Sequence, residues 1–135
     1  MKYDDFIKMV QARAEIGTKE QASQCVQSFL QTLGERLYRT ERDKLAAQLP
    51  DQLKPHLYGH DGTDEFLLEE FYNRMGARCG LRYGEAVHRA RAIASVLREA
   101  VSEGEIGDVL SQLPTNFDEL FGRPPRGPLS PSSVD

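Results

Sequence analysis

Residues 27–50 read QSFLQTLGERLYRTERDKLAAQLP, and residues 91–114 read RAIASVLREAVSEGEIGDVLSQLP. Laid over one another without a gap at a constant offset (91 − 27 = 64), they bring like against like. Phe29 meets Ile93, Leu33 meets Leu97, Leu37 meets Val101, Leu45 meets Val109, and Gln48-Leu49-Pro50 meets Gln112-Leu113-Pro114. The register continues downstream, pairing Leu53 with Phe117 and Leu57 with Phe121. Upstream the offset becomes 65, where Phe6 meets Phe71, Val10 meets Met75 and Ile16 meets Leu81. Such self-similarity is the mark of a repeated structural unit.

Each copy reads as helical. Phe6, Ile7, Val10 and Ala14 form one apolar stripe, and Ala22, Cys25, Val26, Phe29, Leu30, Leu33 and Leu37 form a longer one at i, i+3, i+4 spacing. Gly17 is expected to end the first helix, and Thr18 to Gln21 to open the second with a capping box. A short helix bearing Leu45, Ala46 and Leu49 is closed by Pro50, and Asp51 is expected to cap another with Leu53 and Leu57. The second copy follows the same plan: Phe71, Tyr72, Met75 and Cys79, then Ala86 to Val101, then a capping box at Ser102 to Glu105, then Phe117 to Phe121. Strand-like alternation is not evident. The expected fold is all-α, a duplicated helical unit with two long and two short helices per repeat, packed as a pseudo-twofold bundle. Repeats 3–57 and 66–121 then make one domain, 1–121, joined by a polar linker at 58–64. Residues 122–135 hold four of the seven prolines and are expected to form a disordered tail.

Composition narrows the function classes. The chain has 135 residues, a net charge of −4, and 39% hydrophobic and 28% charged residues, which suits a soluble globular domain. An acidic balance argues against a nucleic-acid or anionic-membrane binder. No apolar run approaches the ~20 residues of a membrane span, and the start, Met1-Lys2-Tyr3-Asp4-Asp5, does not suit a secretory signal. A cytoplasmic location is expected, with Cys25 and Cys79 as reduced thiols.

Tyr3-Asp4-Asp5-Phe6, Leu45 to Pro50, Phe66 to Phe71, Val96 to Ser102, Gly104-Glu105 and Val109 to Pro114 resemble a known family. It is the bacterial all-helical family catalogued as domain of unknown function 2267, and the resemblance covers about residues 3 to 121. It implies an all-α fold of two related halves, carries no agreed activity, and transfers no site residue.

No strained-turn nucleophile motif such as GxSxG is present, so the expectation is that the protein is not an enzyme. Cys25 and Cys79 lie on apolar stripes and are expected to be inert core residues. His56, His60, Asp61 and Asp64 are the metal-like cluster, but Gly59 interrupts their face and no second ligand-rich segment answers it, so no metal and no cofactor are assigned. From Arg74 to Arg98 there are six arginines against one acid, with acidic stretches on either side. Arg74, Arg78, Arg82, Arg89 and Arg91 are therefore a candidate patch for an acidic partner or phosphorylated ligand. The plainer reading is an internal ion-pair set, since Glu70 and Glu85 stand four residues before Arg74 and Arg89. In the tail, Arg123, Pro124, Pro125 and Arg126 offer a basic polyproline motif beside the plainer reading of an unstructured terminus. The leading expectation is a non-enzymatic protein acting through protein contacts, as an adaptor or a homodimer, with no nucleic acid and no membrane as partners. The alternative is a small ligand or cofactor in an apolar pocket between the halves, motivated by Ala90 and Ala94 standing where the first copy has Val26 and Leu30.

Overall fold

A computed structural model describes residues 1–60 and 62–124. Among them there are seven α-helices, one 3-10 segment and no strand: α1 Tyr3–Ala14, α2 Lys19–Arg36, α3 Arg39–Ala46, the 3-10 segment Lys54–Tyr58, α4 Leu68–Cys79, α5 Tyr83–Ala100, α6 Glu103–Ser111 and α7 Phe117–Leu120. The all-α expectation holds. None of these helices is long and apolar enough to cross a membrane.

The apolar stripes meet in one core. Helix α1 packs on α5 and α2 on α4, while α3 faces α6. Phe71 is central, edge-on to Phe29 at 5.4 Å and to Phe117 at 5.8 Å. Edge-to-face pairs of this kind add about 0.5–1.5 kcal/mol beyond area burial. Ala90 and Ala94 are wholly buried on α5, which touches α1, α2 and α4. Small side chains there let several helices approach a single one.

The helix ends depart from expectation in informative ways. Helix α1 stops at Ala14, and the left-handed residue after it is Glu15 (φ 58°), not Gly17. The matching end of α4 uses Gly80 (φ 71°), the residue type that adopts this conformation without strain. Asp51 caps no α-helix; the segment from Lys54 is 3-10, with Pro55 in its first turn and no side-chain cap. Thr18 and Ser102 do act as N-caps, accepting from the backbone N–H groups of Gln21 and Glu105 at 3.2 and 3.1 Å. The reciprocal half of the expected box at Ser102 is absent, because the Ser102 N–H donates to Gln48 Oε1 at 2.7 Å. Likewise the Tyr38 N–H, before α3, donates to Gln112 Oε1. The paired Gln-Leu-Pro motifs thus carry glutamines that cap each other's neighbouring helix.

Freed from capping, Glu105 turns inward and meets Glu41 where α3 faces α6. Burial, then the Glu41 carboxyl, push the Glu105 carboxyl up to about 8.

The linker is held by residues the sequence did not single out. Arg42 is 3% exposed and donates to the carbonyls of Leu37, His60 and Gly62. The Asp64 N–H donates to the Glu35 carbonyl at 2.7 Å. Arg123, placed in the expected tail, is tied to the helices: its N–H donates to the Asp118 carbonyl, and its guanidinium reaches Glu103 at 2.7 Å. Of the tail motif, Pro125 and Arg126 lie outside the described residues.

Candidate functional site

Cys25 sits on the second turn of α2 and is 1% exposed. Cys79 is the last residue of α4, where Gly80 turns the chain away, and it is only partly buried. The inward stripe read from sequence therefore describes Cys25 fully, while Cys79 packs against the core from its edge. Both sulfurs line one cleft of about 210 Å³, together with Gln21, Gln24, Leu81 and Arg89. Arg89 comes from α5, and its Nη1 donates to the Cys25 sulfur at 3.4 Å. The i, i+4 pair expected for Arg89 does not form, because Glu85 instead accepts from the Arg82 backbone N–H at 3.0 Å.

This arrangement separates the two thiols chemically. Cys25 is lowered from 9.0 to about 6, first by the Cys79 thiol placed to donate to its sulfur, then by the Arg89 guanidinium, against the opposing effect of burial. Cys79 is pushed up, by that same partnership with Cys25 and by burial. The two shifts run in opposite directions, so of the pair Cys25 is the sulfur that loses its proton more readily. The cleft is small and polar, with room for a few atoms of a guest.

The five candidate arginines divide among separate places. Arg74 is enclosed by Glu70, Asp64 and Glu35 at 3.0–3.3 Å, with its guanidinium 4.1 Å from the Phe66 ring centroid. Arg78 donates to Thr32 at 2.8 Å and pairs with both oxygens of buried Glu35. These two tie α4 to α2 and use their donors internally. Arg89 belongs to the thiol cleft, Arg91 pairs with Glu119, and exposed Arg82 opens α5. Of the histidine cluster, His60 Nε2 lies 3.7 Å from Asp64, and Asp61 lies outside the described residues. Among the described residues, the acidic or imidazole groups close enough to share an ion are Glu41, Glu105 and Asp108.

A repeat register could have signalled both places. Cys25 and Arg89 are 64 positions apart, and so are Glu41 and Glu105, the same offset that lays residues 27–50 over residues 91–114.

No curated protein matches this chain. A family model does match, over residues 3–120, so the chain belongs to the family described as Uncharacterized conserved protein (DUF2267).

Proposed function

We propose that this protein is a non-enzymatic thiol sensor, in which the Cys25–Cys79 pair reacts with a hydroperoxide and the oxidised chain is read by a protein partner, a second copy included. The observation that carries the reading is the single cleft shared by Cys25, Cys79 and Arg89. It keeps the sequence's small-ligand alternative in a changed form, with a small polar cleft lined by the two cysteines in the place of an apolar pocket. It also keeps the contact reading as the output.

The chemistry balances without a cofactor. The Cys25 thiolate attacks one peroxide oxygen, the O–O bond breaks, and the departing alkoxide or hydroxide takes a proton from water. Cys25 becomes a sulfenic acid. The Cys79 sulfur then attacks the Cys25 sulfur, a disulfide forms, and water leaves. Two electrons pass from the thiols to the peroxide. An external thiol must reduce the bond before the chain reacts again, which suits a stoichiometric sensor in a reducing compartment such as the cytoplasm. A bond from α2 to α4 would add a covalent tie beside the Arg74 and Arg78 network on those same helices.

The duplicated, pseudo-twofold architecture is part of this reading. Its support is reciprocal contact: α1 with α5 and α2 with α4, Arg13 with Glu99 as Arg78 with Glu35, and Gln48 with Ser102 as Gln112 with Tyr38. On this reading the thiol cleft lies near the dyad, where Cys25 meets its own counterpart, Arg89.

The test uses Cys79→Ser. Without the second thiol, treatment with hydrogen peroxide and a sulfenic-acid-trapping dione should label Cys25. A folded Cys79→Ser chain left unlabelled at Cys25, while the same variant is labelled when unfolded, would count against the sensor.

A further inference from the structure

Where α3 faces α6, three carboxylates converge, and two of them are deeply buried. Glu41 and Glu105 are 5% and 4% exposed, and the Oε2 atom of each is buried with no hydrogen-bond partner. Glu41 Oε1 accepts from Gln112 Nε2 at 3.1 Å. Asp108, one turn beyond Glu105 and exposed, completes the set, with one oxygen from each carboxylate within 4.8 Å of the others. Lys44 is the nearby cation, and its reach is short. Its Nζ lies 2.7 Å from Asp108 Oδ2 but 3.7 and 3.8 Å from Glu41 Oε2 and Glu105 Oε1, too far for a hydrogen bond. The ammonium therefore hydrogen-bonds the outer carboxylate and meets the inner pair only as longer ion pairs, leaving the Oε2 atoms without a hydrogen bond. Buried carboxylate oxygens without partners are costly, and a cation placed deeper than Lys44 reaches would satisfy both.

We infer that Glu41, Glu105 and Asp108 form a binding site for a hard divalent cation such as Ca²⁺, Mn²⁺ or Mg²⁺, with Lys44 as its built-in competitor. The donor set is all oxygen, which selects these ions over zinc or copper. Asp108 faces solvent, so water can complete the coordination sphere. The flexible Lys44 side chain is half exposed and free to swing aside when an ion enters. Because Glu41 and Glu105 come from α3 and α6, the ion would clamp one half of the chain to the other.

Calorimetric titration of the full chain with CaCl₂, MnCl₂ and MgCl₂ tests the site. At least one ion should bind one per chain, with a dissociation constant in the millimolar range or below. Asp108→Asn, an exposed change that leaves the core intact, should weaken binding about tenfold by removing one charged ligand. Glu105→Gln should abolish it, with circular dichroism confirming the fold, and Lys44→Gln should strengthen it severalfold. No saturable binding of any of the three ions by either the native chain or Lys44→Gln would overturn the site and leave a proton shared between the two glutamates. Binding unchanged by both Asp108→Asn and Glu105→Gln would overturn it equally.

Discussion

Replacing Gly34 by alanine tests the packing account where it is least forgiving. Gly34 lies within α2, where alanine is ordinarily worth about 1 kcal/mol more than glycine. Here a Cβ would stand 2.2 Å from the Leu57 carbonyl oxygen, 2.9 Å from its carbon and 3.1 Å from its Cα. All three are backbone atoms, so no rotamer change relieves the overlap. The 3-10 segment would have to move by about 1 Å, and Leu53 and Leu57, each 1% exposed, are packed in the core. Overpacking costs about 1–3 kcal/mol where side chains can adjust, and a backbone obstacle belongs at or above the top of that range. After the helix-propensity gain, Gly34→Ala should destabilise by about 2–3 kcal/mol, which for a domain of this size lowers Tm by about 7–12 °C. Gly107→Ala is the control. It too is helical, but nothing lies within 4 Å of its added Cβ, so it should stabilise by about 0.5–1 kcal/mol. Differential scanning calorimetry of the two variants reads both numbers. Equal, stabilising shifts would refute the close approach of α2 to the 3-10 segment. At the position that the sequence overlay sets against Gly34, Arg98 donates from its guanidinium to the Phe121 carbonyl at 2.8 Å.

Two further predictions follow from individual residues. Glu15→Gly relieves a left-handed backbone, φ 58°, that costs a non-glycine residue about 1–2 kcal/mol. After the entropy penalty of glycine, it should gain about 0.5–1 kcal/mol in urea denaturation, the lost exposed contact with His88 mattering little. The alkylation rate of Cys25, followed by peptide mass spectrometry, should rise with pH around a midpoint near 6 and level off above about 7, where the thiolate is already formed. Arg89→Gln should move the midpoint upward; a midpoint near 9 in the native chain would show that Cys25 is an ordinary thiol.

Much of the fold was legible because helices announce themselves locally. The stripes from Phe6 to Ala14 and from Ala22 to Leu37 are satisfied within one element, and the residues they list are buried. Caps at Thr18 and Ser102 were legible for the same reason. What failed to show were side chains whose partners come from elsewhere in the chain. Gln48 and Gln112 stand next to Leu-Pro with no role legible there, yet they take N–H groups from Ser102 and Tyr38, 54 and 74 positions away. Arg42 carries no signal of its own in the sequence, yet it spans the linker carbonyls and is almost wholly buried. Cys79 continued an apolar stripe by spacing alone; its place at the end of α4, beside Gly80, turns it to the cleft that Arg89 enters from α5. Helical periodicity says which face a residue occupies and is silent on what that face meets. The arginine run illustrates the same limit, since Arg74 and Arg78 find Glu35 on another helix while Arg89 finds a sulfur.

The measurement that bears most directly on the sensor is a non-reducing peptide map of the folded chain after one equivalent of hydrogen peroxide. The account predicts an intramolecular Cys25–Cys79 disulfide, a chain lighter by two hydrogens, and full reversal by a small dithiol. Two free thiols after exposure, or Cys25 driven to sulfinic acid with Cys79 untouched, would contradict it.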